Sequence, residues 1–236
     1  MKSSQIIRNF GTALAGILVM MSATVLAQDG PVASRNSAGY IKITVAKRAL
    51  YQMHYPLLGI EGQQITVNDV MANLPNGSAI TFWDADNQTY TTGQANEVKL
   101  MGTWTPGTNN LCGRAFWLQV GNSAQASFDI YLLGEAPDAW TTPTATVTLA
   151  PCGVNSLTLV GYAYPIATRW TATAVSSNAA ENSSIMIFDP ATETYQTAVK
   201  RSGTWSADPV LQPGQAFWVN PRNVSTWTEV KPYVYP

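Results

Sequence analysis

A single histidine, His54, serves all 236 residues. Catalytic triads, imidazole zinc sites and HExxH helices all draw on histidine, so any such site would have to be built on that residue. His54 stands in an apolar, alternating run (ALYQMHYPL), the setting of a packed imidazole rather than of a general base. GxSxG elbows and glycine-rich phosphate loops are missing too. Charge is scarce: 11% of residues are Asp, Glu, Lys or Arg, 14 acidic against 13 basic, and the cations are scattered. Phosphate backbones require clustered Lys and Arg, which argues against nucleic acid as a partner. Cysteine is limited to Cys112 and Cys152, too far apart for a CxxC pair and with no histidines to complete a metal site. The acidic run Asp84–Gln88 lacks the glycine and distal glutamate of a calcium loop. No metal or cofactor is expected.

Long hydrophobic runs are confined to the beginning. Lys2 and Arg8 precede an apolar stretch from Gly11 to Leu26, followed by Val25-Leu26-Ala27 as a cleavage signature. This pattern predicts a secretory signal peptide over 1–27, cut after Ala27, and a stretch short for a membrane anchor. The expected location is extracytoplasmic: periplasmic, cell-surface or secreted, with no membrane span after cleavage. Residues 28–37 (QDGPVASRNS) read as a flexible leader. In an exported chain, Cys112 and Cys152 suggest a disulfide, with two free thiols as the alternative.

What the chain has in quantity is aromatic and β-branched residues, and it writes them twice. GTWTPGTNNLCGRAFW (Gly102 to Trp117) and GTWSADPVLQPGQAFW (Gly203 to Trp218) share seven of sixteen positions, two of them tryptophan pairs. Upstream, SAITFWDADNQTY (Ser78 to Tyr90) aligns with SSIMIFDPATETY (Ser183 to Tyr195), and HYPL at His54 with AYPI at Ala163. Self-similarity on this scale predicts two related modules, 38–138 and 139–236. Periodicity of two dominates in YIKITVA (Tyr40 to Ala46), SAITFW, TVTLA (Thr146 to Ala150) and SLTLVGYAY (Ser156 to Tyr164). The predicted fold is therefore all-β, as two tandem, sequence-related β-sandwich or barrel-like modules. One short helix is expected over Thr66 to Gly77, and the matching WTATAVSSNAAE is a poorer candidate.

Alternation in GQAFWVN puts Phe217 and Val219 on one face and Trp218 on the other. One face is core. The second either packs another layer or stands open as a sugar-stacking platform, for which Trp83, Trp117, Trp218 and Trp170 are the candidate ligand-binding residues. Paired carboxylates would suffice for a glycoside hydrolase, and Asp84 and Asp189 recur in both copies. Each sits at a hairpin, where Asp serves its own backbone.

The order Tyr164-Pro165, Asp189, Tyr195, Gly203-Thr204-Trp205, Leu211 and Pro213-Gly214-Gln215-Ala216-Phe217-Trp218 resembles a repeated β unit of exported proteins from Gram-negative-type bacteria. The first copy departs from it at Asn110 and Cys112. The resemblance implies an extracytoplasmic, mostly β protein and brings no established activity with it. An outer-membrane barrel fits less well, since the chain ends in KPYVYP rather than an aromatic-terminated strand. The expected function is a non-catalytic exported β-module protein with a structural, adhesive or cell-envelope role, its partners glycans or other envelope proteins. A carbohydrate-binding protein using surface tryptophans is the alternative, and an acid-pair glycosidase trails both.

Overall fold

The computed structural model describes residues 38–137, 144–149 and 155–233, all within the compact unit Ser34–Pro236. The expected signal peptide, the leader, Trp140, Cys152 and the junction at 138–143 lie outside the described residues.

The chain is all-β. Its first half runs through β1 (Ala38–Ala46), β2 (Leu50–His54), α1 (Val67–Met71), β3 (Ala79–Asp84), β4 (Thr89–Tyr90), β5 (Glu97–Leu100), β6 (Thr103–Thr105), β7 (Ala115–Gln119) and β8 (Ser127–Glu135). Its second half runs through β9 (Thr144–Thr148), β10 (Thr158–Gly161), β11 (Thr168–Arg169), α2 (Ala174–Asn178), β12 (Ser184–Asp189), β13 (Thr194–Arg201), β14 (Thr204–Trp205), β15 (Val210–Leu211), β16 (Ala216–Asn220) and β17 (Thr226–Val230). One sheet has the order β2-β7-β3-β5-β6, with β4 on β3, and the other β10-β16-β12-β13-β14. The two orders correspond strand for strand. Each half also pairs its first strand with its last, β1 with β8 and β9 with β17, in an antiparallel ribbon. No helix among the described residues is long and apolar enough to cross a membrane.

Side-chain alternation divides the buried residues into three layers. Val45, Met53, Ile80, Phe116, Leu118 and Ile130 belong to the core of the first half. Val160, Ile185, Phe217, Val219 and Trp227 belong to that of the second. Phe217 and Val219 thus share a face, and Trp218 points the other way, into a third cluster.

The recurrent GTW has a specific task. Its glycine and the residue before it both take positive φ (Met101 and Gly102, Ser202 and Gly203), giving the tight two-residue turns that link β5 to β6 and β13 to β14. Each turn delivers its tryptophan to the end of a short helix: Trp104 Nε1 donates to Met71 O at 2.9 Å, and Trp205 Nε1 to Ser176 O at 3.2 Å. A lysine five residues earlier does the same. Lys99 Nζ donates to Ala72 O and Leu74 O, and Lys200 Nζ to Ser176 O, Ser177 O and Ala179 O. Helices this short cannot satisfy their own last carbonyls, and a cation there also suits the negative end of the dipole. This support explains why α2 forms although its sequence is a weak helix former. Thr173 caps its start, accepting from Ser176 N, and Thr66 with Asp69 makes the capping box of α1.

Trp104 is 2% exposed. Trp104→Ala leaves both a cavity and the Met71 carbonyl without its donor, and is expected to cost about 3–5 kcal/mol in equilibrium urea unfolding. A variant that unfolds with the parent would show that this indole is not a structural anchor.

Candidate functional site

The third cluster lies where the two halves meet. It comprises Trp117, Leu159, Phe188, Ala216 and Trp218, with Leu50, Trp83, Ala115, Leu157 and Met186 packed around them. Its aromatic contacts are reciprocal. Trp83 meets Trp218 edge to face at 4.9 Å, and Trp117 meets Phe188 edge to face at 5.1 Å. In the sequence alignment Trp83 corresponds to Phe188 and Trp117 to Trp218, so the same pair of positions is used twice with the halves exchanged. That is the contact pattern of a two-fold interface. Edge-to-face geometry sets positive ring edges against negative faces, adding about 0.5–1.5 kcal/mol per pair to the area buried. Trp83 Nε1 and Gln88 Nε2 both donate to Leu157 O, and Leu157 N donates to Gln88 Oε1, which bonds the β3–β4 hairpin of the first half to the entry of β10.

This arrangement corrects the platform reading of the tryptophans. Trp117 is 8% exposed, Trp218 5% and Trp170 1%, while Trp83 is half-buried. Trp170 packs on Trp205 at 5.1 Å within the second core. The alternate face of each AFW strand is apolar because the other half covers it. At the rim of the cluster, Tyr90 and Tyr195 remain partly exposed, Tyr90 against Trp83 and Tyr195 against Phe188.

His54 sits in the same seam. It pairs with Ala115, as Gly161 pairs with Ala216, so by strand register its counterpart is Gly161 rather than Ala163. A two-residue difference between the YP motifs and the strands hides this in the sequence. The two counterparts face one another: a Cβ built on Gly161 would land inside the imidazole of His54. Positions that meet their own equivalents cannot both be large, and a histidine opposite a glycine fills that space. Burial pushes the His54 pKa down to about 4, against a hydrogen bond with the Gly113 backbone that acts to raise it. The ring is neutral at neutral pH, and its Nδ1 has no protein partner. The backbone N of His54 donates to Gly214 O at 2.9 Å, and Met53 bridges Gln215, tying β2 to the loop before β16.

The remaining candidates for chemistry are held by the fold. Asp84 accepts from Asp86 N and Asn87 N, and from Asn87 Nδ2, which hold its carboxyl below the usual carboxylate range, the Asn87 side chain most strongly. Asp189 accepts from Ala191 N and Thr192 Oγ1 and is lowered in the same way, chiefly by the Ala191 backbone. Both are Asx-turn formers. The buried Glu97 accepts from Gly107 N and from Asn109 N and Nδ2. Glu229 accepts from Trp227 Nε1 at 2.6 Å and Ala174 N at 3.0 Å. Among the described residues, no three His, Cys, Asp or Glu side chains gather where they could hold a metal ion. Cys112 is half-buried and has no disulfide partner among the described residues, and its expected partner Cys152 lies outside them.

Two clefts flank the seam. One, of about 230 Å³, is lined by Ile43, Met53, Phe188, Pro190 and Pro213 and is mostly apolar. The other, of about 340 Å³, lies between Gly113-Arg114-Ala115 and β9–β10, with His54, Phe82 and Trp83 in its wall. Sequence reasoning missed the second cleft because its residues come from both halves. Arg114 stands where the second copy has Gln215, and that difference was its one available signal. Comparison with family models, curated proteins and solved structures finds no match.

Gly161→Ala is expected to destabilise the chain by about 1–3 kcal/mol through overpacking against His54. In the double variant with His54→Ala most of that loss disappears, a coupling that a double-mutant cycle in urea reads directly. Additive losses would place His54 and Gly161 out of contact.

Proposed function

We propose that the protein is an exported, non-catalytic tandem of two related β modules with a structural, adhesive or cell-envelope role. The observation that carries this reading is that, among the described residues, the one histidine lies inside the fold and the recurrent and buried carboxylates are held by it. His54 is buried and neutral, Asp84 and Asp189 hold their own turns, and Glu97 and Glu229 accept from neighbouring backbone and side-chain donors. Matching strand orders and reciprocal aromatic contacts support the tandem reading.

A contact surface suited to such a role lies on the β1–β8 ribbon. Tyr40 is 67% exposed, Leu133 58% and Tyr131 44%, neighbours on the outer face, with the two tyrosine rings 6.3 Å apart. Adjacent exposed aromatic and apolar side chains mark interaction surfaces more often than accident does. Glycan binding stands as the second reading on one observation: Tyr90 and Tyr195 keep accessible rings beside the seam.

Expression of the full chain, followed by fractionation and N-terminal sequencing, tests the reading. The expected product begins at Gln28, is recovered outside the cytoplasm, and is retained on isolated envelopes. Retention should fall at least tenfold in a Tyr40→Ser/Tyr131→Ser/Leu133→Ser variant and stay unchanged in His54→Ala. Retention on soluble and insoluble glycans that follows Tyr90 and Tyr195 would favour the second reading. A product that keeps residues 1–27 in the cytosol, or that turns over glycans, would overturn the proposal.

A further inference from the structure

The Arg114 cleft holds a combination that the fold does not explain. The guanidinium of Arg114 lies over the ring of Phe82, 3.6 Å from its centroid. A guanidinium held over an aromatic ring by its cation–π attraction can still present N–H donors to a ligand. Among the described residues that fork makes one hydrogen bond, from Nη1 to Asn110 O at 3.5 Å, and no ion pair. The described lining contains no carboxylate. Two features therefore converge on the cleft: an arginine without a counter-charge among the described residues, and the His54 imidazole, 4% exposed, whose Nδ1 has no partner among them. A buried polar atom left unpaired by the fold calls for an explanation, and a bound molecule in the adjoining cleft supplies one.

The rest of the lining describes the ligand. Thr146, Thr148 and Thr158 bring hydroxyls from β9 and β10, and Trp83, Leu159 and Val160 give an apolar wall. A volume of about 340 Å³ takes a molecule of metabolite size. One planar fork matches one carboxylate, which it can engage through two parallel N–H···O bonds. Inorganic phosphate, a mixture of mono- and dianion at neutral pH, would call for a second cation or a row of backbone N–H groups, and the described lining has a single cation.

We propose that the cleft between Gly113-Arg114-Ala115 and β9–β10 binds a small ligand bearing one carboxylate, with Arg114 taking the carboxylate and the threonine hydroxyls and Trp83 wall taking its body. The second half has Gln215 at the Arg114 position, so the site exists on one side of the seam only. Binding here is independent of the exposed ribbon face and of where the protein resides in the cell.

Nuclear magnetic resonance of the mature chain tests this with three probes: benzoate, benzyl alcohol and inorganic phosphate. Benzoate is expected to shift the Arg114 Nε–H, the His54 ring and the Gly113 and Gly161 amides in a saturable way. Benzyl alcohol and phosphate should need at least tenfold higher concentration for the same shifts. Arg114→Gln should weaken benzoate at least tenfold while leaving the thermal midpoint unchanged, and Arg114→Lys should recover only part of the binding, because a point charge replaces a fork. The proposal is overturned if benzoate moves none of these resonances, if Arg114→Gln binds it equally well, or if phosphate binds as tightly as benzoate. If Arg114→Gln does not fold, a Thr148→Val variant gives the second reading, with benzoate shifts unchanged from the parent counting against the site.

Discussion

Two edge-to-face contacts, Trp83 on Trp218 and Trp117 on Phe188, organise the rest of the molecule. Each sheet has an inner face that packs on its own core and an outer face that would otherwise set large indoles in water. Covering one outer face with the other removes both from solvent at once. Hydrophobic burial of this kind is roughly proportional to area, and tryptophan contributes more area than any other side chain. Because the contacts are reciprocal, the seam uses the same positions twice, and a change at either face weakens the support of both halves.

Everything near the seam bends to that requirement. His54 and Gly161 occupy equivalent positions and meet across it, so one is large and the other has no side chain. The loop before β16 closes onto β2 through Gly214 O and Gln215, whereas the loop before β7 carries Arg114 and leaves a polar cleft against β10. Two halves with matching strand orders thus acquire two different sides. The clefts flanking the seam differ in volume and polarity for the same reason, since small sequence differences at equivalent positions sit at the meeting surface.

Much of the fold was legible in the sequence. Alternation placed the strands, the turn chemistry of Asp84 and Asp189 placed two hairpins, and GQAFWVN separated Phe217 and Val219 from Trp218. The second helix was less legible, because its stability comes from Lys200 and Trp205, donors distant in the chain, and propensity does not register them. Alternation also states that a strand has two apolar faces without stating what covers the second. A sugar ring and a second module make the same demand for flat aromatic surface, so Trp117 and Trp218 fitted both readings until their contacts were seen. The partner of His54 was misplaced because the YP motif is a more conspicuous landmark than strand register, and two residues separate them.

The aromatic seam makes the halves one cooperative unit. Native-state hydrogen exchange of a Trp218→Ala variant tests it most directly, by following the core amides of Ile80 in β3 and Phe217 in β16. Protection is expected to fall by a similar factor at both amides, because removing one indole loosens the support of both halves. Loss of protection at Phe217 with Ile80 unchanged would show that the halves fold independently and that the seam does not couple them.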